Sequence, residues 1–148
     1  MGNVKKAGPT IKLRKIHNSI MEDNICIFFD VHSHILPGVD DGARNMGETR
    51  QMLLRAYEEG TRIIVATPHY AAGKKHIPSE QLLRILLEVN QVAAEISKEL
   101  LVISGNELFY SLDMLDSLAD GEALTLHGSR YILVEFSPSE EYKRIREG

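Results

Sequence analysis

Short apolar runs alternate along this chain with longer stretches whose apolar residues recur at helical spacing, and that alternation restricts the fold more than any other feature. The runs are Ile25-Cys26-Ile27-Phe28-Phe29, Ile63-Ile64-Val65-Ala66, Leu101-Val102-Ile103 and Tyr131-Ile132-Leu133-Val134-Glu135-Phe136. Each has the length and composition of a buried strand. After the first, Asn45 followed by Glu48 forms the pattern of a capping box. Met52, Leu53, Ala56 and Tyr57 then share a helical face that Gly60 terminates. After the second, Thr67-Pro68-His69 and a loop with Gly73 and Pro78 lead into a long amphipathic helix marked by Leu82, Leu83, Leu86, Val89, Ala93 and Ile96. Pro68 stands past the strand's end, where its missing N–H is expected to cost the ladder nothing. Leu112, Leu115 and Leu118 mark a short helix ending at Gly121, and residues 139–148 begin like another. Strand then helix, four times over, predicts an α/β fold of parallel strands with right-handed crossovers, covered on both faces.

Composition removes several function classes. With 148 residues, 43% of them hydrophobic, the chain is long enough to bury a core as one domain. A formal net charge of −4 and the lack of a basic, aromatic-interleaved patch argue against a nucleic-acid partner. A lone cysteine excludes an internal disulfide and suggests a reducing compartment. No apolar run has membrane-spanning length, so the expected location is the cytoplasm. Residues 1–24 differ from the rest: Lys5, Lys6, Lys12, Arg14 and Lys15 make them basic, while Gly2, Gly8 and Pro9 break any period. They are expected to form a loose, solvated extension ahead of a domain spanning 25–148, with Met21 a candidate start.

Chemistry concentrates at the ends of the strands. His32 and His34 are two apart, so on an extended backbone both imidazoles point the same way and can reach one ion. His69 follows the second strand, and Glu107 follows the third in Ser104-Gly105-Asn106-Glu107. In parallel α/β barrels these strand ends share one face. His32, His34, His69 and Glu107 should therefore converge, and Asp41 in the first strand's loop can join them. Mixed imidazole and carboxylate ligation suits Mn, Fe or Zn. His17, His76 and His127 end no strand and read as surface residues, with His76 the best placed to fold inward. Glu135 lies within the fourth run and is expected to be a buried, paired carboxylate. Cys26 sits in an apolar strand with no arginine six residues on, which sets aside a cysteine-based phosphatase; it reads as a small buried hydrophobe.

The stretch Phe29-Asp30-Val31-His32-Ser33-His34-Ile35-Leu36-Pro37-Gly38-Val39-Asp40-Asp41-Gly42 resembles the signature of the manganese-dependent tyrosine-protein phosphatases of bacterial capsule and exopolysaccharide synthesis (CpsB/CapC-like). These belong to the polymerase-and-histidinol-phosphatase (PHP) superfamily. The likeness continues through Ala66-Thr67-Pro68-His69, Gly105-Asn106-Glu107 and the run from Tyr131 to Phe136, and so covers the chain from Asp30 to Phe136. The resemblance implies a distorted seven-stranded (β/α) barrel with a trinuclear metal site at its C-terminal face. It implies His32, His34, Asp41, His69 and Glu107 as metal ligands, with Glu107 bridging two ions. The implied cofactor is Mn2+, with Fe2+, Zn2+ or Co2+ as alternatives. The family pattern continues beyond Gly148 with a His-Pro-Glu-Arg motif, an Asp-x-His and phosphate-holding arginines. This sequence therefore corresponds to the first four or so βα units, with an open sheet edge expected.

Three functions follow as expectations. The first is a protein-tyrosine phosphatase that uses metal-activated hydroxide on a bacterial tyrosine kinase of polysaccharide export. Arg44 is its candidate phosphate contact, ahead of Lys74 and Lys75. The second keeps the superfamily but takes a small phosphorylated metabolite, which a substrate panel would separate. The third is a truncated or inactive half-domain, or one completed by self-association or a partner chain.

Overall fold

The computed structural model describes residues 27–137. The expected N-terminal extension, the start at Met21, the burial of Cys26, the site of His17 and the helical onset at 139–148 lie outside the described residues. The elements are β1 (Phe28–Ser33), α1 (Met46–Glu58), β2 (Thr61–Ala66), β3 (His69–Tyr70), α2 (Ser79–Ile96), β4 (Leu101–Ser104), β5 (Glu107–Phe109), α3 (Met114–Ala119) and β6 (Leu133–Glu135). Strands and crossover helices alternate as expected, and every strand pairing is parallel.

The strands form two ladders, β1-β2-β4 and β3-β5-β6. This is a refinement of four unbroken strands. The second run pauses between Ala66 and His69, and the third between Ser104 and Glu107. Register survives the pause: Ala66 faces Ser104, and three residues later His69 faces Glu107. Pro68 falls in the pause between β2 and β3, outside both ladders, where its missing N–H costs no rung, as expected. Asn106 fills the gap. Its Nδ2 donates to the Pro68 carbonyl at 3.0 Å and its Oδ1 accepts from Leu124 N–H at 2.8 Å, while Glu107 N–H donates to the same Pro68 carbonyl at 3.1 Å. The pause is thus pinned on both sides of His69 and Glu107.

Helix α1 begins at Asn45, whose Oδ1 accepts from Glu48 N–H at 3.1 Å. The reciprocal half of the capping box is missing, because the Glu48 carboxylate takes the Arg44 N–H and guanidinium instead. Gly60 ends the helix with φ +97°, where a side chain would be strained. Leu53 on α1 and Leu82, Val89 and Ala93 on α2 pack with Ile35, Leu36, Ile64 and Val102 into the main core. Met52 and Leu83, expected on the inner faces, are exposed. Leu112 and Leu115 are exposed too, since α3 has only six residues and Leu112 precedes it.

The described part of the first apolar run is not buried as expected. Phe28, Phe29 and Val31 are 55–57% exposed. Among the described residues, strand β1 is the outer member of its ladder, paired only with β2, and nothing covers its far side. The other outer strand of that ladder, β4, is closed by a side chain. Asn90 on α2 donates to the Val102 carbonyl at 2.8 Å and accepts from Val102 N–H at 3.0 Å, as a neighbouring strand would. Asn90→Ala strands both backbone groups and should cost about 1–3 kcal/mol in urea denaturation, with unchanged secondary structure by circular dichroism.

Candidate metal centre

His32 lies on β1 and His34 just past its end, so extended geometry brings their Nε2 atoms within 3.2 Å of each other. Glu107, the first residue of β5 and only 7% exposed, faces both. Its Oε1 lies 3.1 Å from His32 Nε2, and its Oε2 lies 3.1 Å from both His34 Nε2 and His69 Nδ1. The in-register pairing of β3 with β5 sets His69 beside Glu107. Three imidazoles from two strand ends therefore surround one buried carboxylate.

The loop after β1 folds back over this group. Ala43 N–H donates to the His34 carbonyl at 3.0 Å and Gly38 N–H to the Ala43 carbonyl at 2.7 Å. Gly42 presses on His34 so closely that a Cβ would lie 2.0 Å from the His34 carbonyl oxygen. The turn returns both aspartates to the histidines. Asp41 Oδ1 stands 3.4 Å from His34 Nδ1 and 3.4 Å from His69 Nε2. Asp40 is more enclosed: its Oδ2 accepts from His34 Nδ1 at 2.9 Å and from His69 N–H at 3.0 Å, and its Oδ1 accepts from Gly42 N–H at 3.1 Å.

Among the described residues, three overlapping groups could hold an ion: His32, His34 and Glu107; His34, Asp41 and His69; and His69, Glu107 and Glu135. The donor set suits a divalent metal. Two imidazole Nε2 atoms facing the two oxygens of one carboxylate are arranged as ligands are, and the N/O mixture favours Mn, Fe or Zn over the softer ions. The five residues singled out from sequence, His32, His34, Asp41, His69 and Glu107, all fall within these groups.

Sequence reasoning set Glu135 aside as a buried, paired carboxylate and did not separate Asp40 from Asp41. Glu135 is neither interior to its strand nor buried: it is the last residue of β6, its side chain is 39% exposed, and its Oε2 lies 3.6 Å from His69 Nδ1. The strand-end rule that found His69 would have found it, had the run been ended before Phe136. Asp40 was one of an undifferentiated aspartate pair, and only the turn tells the two apart. Arg44 is held by Glu48, its Nε donating to Oε1 at 2.8 Å. That hydrogen bond raises the guanidinium's pKa and holds the Glu48 carboxyl below its usual value. His76 donates from Nδ1 to the Lys74 carbonyl at 2.9 Å and lies 4.7 Å from the Tyr70 ring, apart from the three groups. His127 sits at φ +54° in a 3-10 turn, likewise apart. Beside the centre, burial pushes the Tyr70 phenol's pKa up, and its hydroxyl donates to Glu122 at 3.1 Å.

These features define a class: a parallel α/β domain that gathers imidazoles and carboxylates from successive strand ends into a centre suited to metal ions. The family model for capsular polysaccharide synthesis, CpsB/CapC, matches residues 28–148, and the chain belongs to that family. It is 39% identical over 119 residues to the tyrosine-protein phosphatase CpsB of Streptococcus pneumoniae, covering 80% of this chain and 49% of that protein. It is 32% identical over 126 residues to the tyrosine-protein phosphatase YwqE of Bacillus subtilis, covering 80% and 46%. It also superposes, with a TM-score of 0.73 and 28% identity, on a crystal structure from work on YwqE of B. subtilis and CpsB of S. pneumoniae, described as unique metal-dependent tyrosine phosphatases. That match covers 81% of this chain and 49% of the solved one. The chain thus spans about half the length of the curated relatives it matches. No helix among the described residues is long and apolar enough to cross a membrane.

Proposed function

We propose that this chain provides the N-terminal part of a metal-dependent protein-tyrosine phosphatase acting in capsular or exopolysaccharide synthesis in the bacterial cytoplasm. The observation that carries the reading is the convergence of His32, His34 and His69 on the buried Glu107 in a family whose relatives are named tyrosine-protein phosphatases. Residues 25–148 are read as the opening βα units of a seven-stranded PHP-type barrel, with residues 1–24 as an extension. Strand neighbours that follow chain order, with register kept across each pause, favour a barrel wall. The substrate is a phosphotyrosine protein, with a tyrosine kinase of polysaccharide export as the specific partner.

His32, His34, Asp41, His69 and Glu107 would hold the ions, with Mn2+ preferred over Fe2+, Zn2+ or Co2+, and Glu135 as a further carboxylate beside His69. Bound divalent ions supply hydroxide near neutral pH and offset negative charge on a phosphoryl group. The chain's own part is to keep three imidazoles and the Glu107 side chain facing one point, fixed by the Asn106 clamp and the Gly42 turn. Arg44 serves as a phosphate contact by exchanging its Glu48 partner for the phosphoryl oxygens, a swap open to an exposed guanidinium. Aryl phosphates suit the site because a phenolate, of pKa about 10, leaves more readily than an alkoxide.

Purified protein should release phosphate from phosphotyrosine peptides, and from an aryl phosphate, in an Mn2+-dependent manner, while phosphoserine peptides stay intact. His34→Ala should abolish the release. Turnover that is indifferent to metal, or that survives His34→Ala, contradicts the proposal. A second reading, in which self-association or a partner chain completes the site, draws on the bare face of β1. It predicts turnover per chain that rises with protein concentration or on adding the partner.

A further inference from the structure

Asp40 makes three hydrogen bonds at this centre and belongs to none of the groups able to hold an ion. Its side chain is 9% exposed, against 78% for Asp41. We propose that Asp40 is a positioning residue: it fixes the proton of His34 on Nδ1, so that Nε2 faces the ion, and it ties the β1 loop to the start of β3. The inference rests on the metal-binding reading above.

The argument is one of donors and acceptors. A carboxylate only accepts, so an imidazole nitrogen 2.9 Å from Asp40 Oδ2 carries its hydrogen there. The free lone pair then lies on Nε2, the atom that faces Glu107 Oε2 and His32 Nε2. A carboxylate behind a histidine ligand also makes that ligand a better donor. The same Oδ2 accepts from the backbone N–H of His69, so one oxygen sets two ligands that are 35 residues apart by their numbers (69 − 34). Asp41 does not compete for the proton. At 3.4 Å from His34 Nδ1 its oxygen is beyond a good hydrogen bond, and it is solvated.

Asparagine cannot reproduce the arrangement. If its amide nitrogen replaces Oδ2, it confronts the His69 N–H and draws the His34 proton to Nε2. If it replaces Oδ1, it confronts the Gly42 N–H. Chelator competition with Zn2+ should therefore show affinity falling roughly 10–100-fold in Asp40→Asn. Glu48→Gln, outside the centre, should stay close to the wild type.

The wild type alone gives an independent reading that needs no variant to fold. In the Zn2+-loaded, nitrogen-15-labelled protein, long-range proton–nitrogen spectra should show His34 protonated at Nδ1, with a slowly exchanging proton, and metal-shifted at Nε2. A purely structural aspartate would leave that signature undetermined. Ligation through Nδ1, or equal Zn2+ affinity in the wild type and Asp40→Asn, overturns the inference while leaving the metal site intact. Failure of the wild type to bind Zn2+ overturns the metal reading itself, and the inference with it.

Discussion

Replacing Glu107 by glutamine is expected to abolish metal binding while leaving the fold in place. The carboxylate offers both oxygens to imidazole nitrogens, Oε1 to His32 and Oε2 to His34 and His69, and it takes part in two of the three groups able to hold an ion. Glutamine keeps one oxygen and turns an NH2 toward nitrogens that must stay free to ligate. The loss should exceed the roughly 10–100-fold that follows when a group merely orienting a ligand is removed. Folding should survive, because the neighbouring packing is carried by Leu108, which is fully buried, and by the Asn106 clamp. The check is urea denaturation with and without Mn2+. At an ion concentration 100 times the dissociation constant, the wild type should gain about 2.7 kcal/mol and Glu107→Gln almost nothing. An equal gain in both proteins would remove Glu107 from the centre.

The second large effect is expected at Gly42, a residue that touches no ion. A Cβ added there would lie 2.0 Å from the His34 carbonyl oxygen and 2.4 Å from His34 Cβ. The obstacle is mainly backbone of the segment that carries the ligands, so a flexible side chain cannot swing aside. Gly42→Ala must push the turn away from His34, breaking the Ala43 N–H to His34 carbonyl bond and the Gly42 N–H to Asp40 bond. Overpacking of this kind costs about 1–3 kcal/mol, occasionally more. Metal affinity should fall with stability, since Asp40 and Asp41 ride on the same turn. A variant with wild-type stability and affinity would mean that the turn is not held against His34 as described.

The strand ends were legible because their signal is local. An apolar run followed by histidine or glutamate names both an element and its chemical terminus, and His32, His34, His69 and Glu107 were found that way. What escaped depends on contacts between distant segments. The apolar composition of Phe28 and Phe29 says strand, but whether that strand is covered depends on a layer that no local pattern encodes. Pro68 stands in the pause between β2 and β3, and what bridges that pause, the Asn106 side chain donating to the Pro68 carbonyl, comes from a segment 38 residues away. Asn45 and Glu48 had the spacing of a capping box, but Arg44 offered Glu48 a charged partner, and that bond displaced the reciprocal cap. Asp40 and Asp41 are chemically identical in sequence. The turn at Gly42 makes one a half-buried acceptor of three hydrogen bonds and leaves the other solvated. Glu135 was set aside because the run was carried one residue too far, to Phe136, whereas the strand ends at Glu135.

The most direct test of the central claim is equilibrium dialysis of the purified chain against Mn2+, with Glu107→Gln beside it. The claim predicts saturable binding by the wild type that is lost in the variant, because His32, His34 and His69 converge on that one carboxylate. Absence of saturable binding by the folded wild type, or binding unchanged by Glu107→Gln, would contradict it.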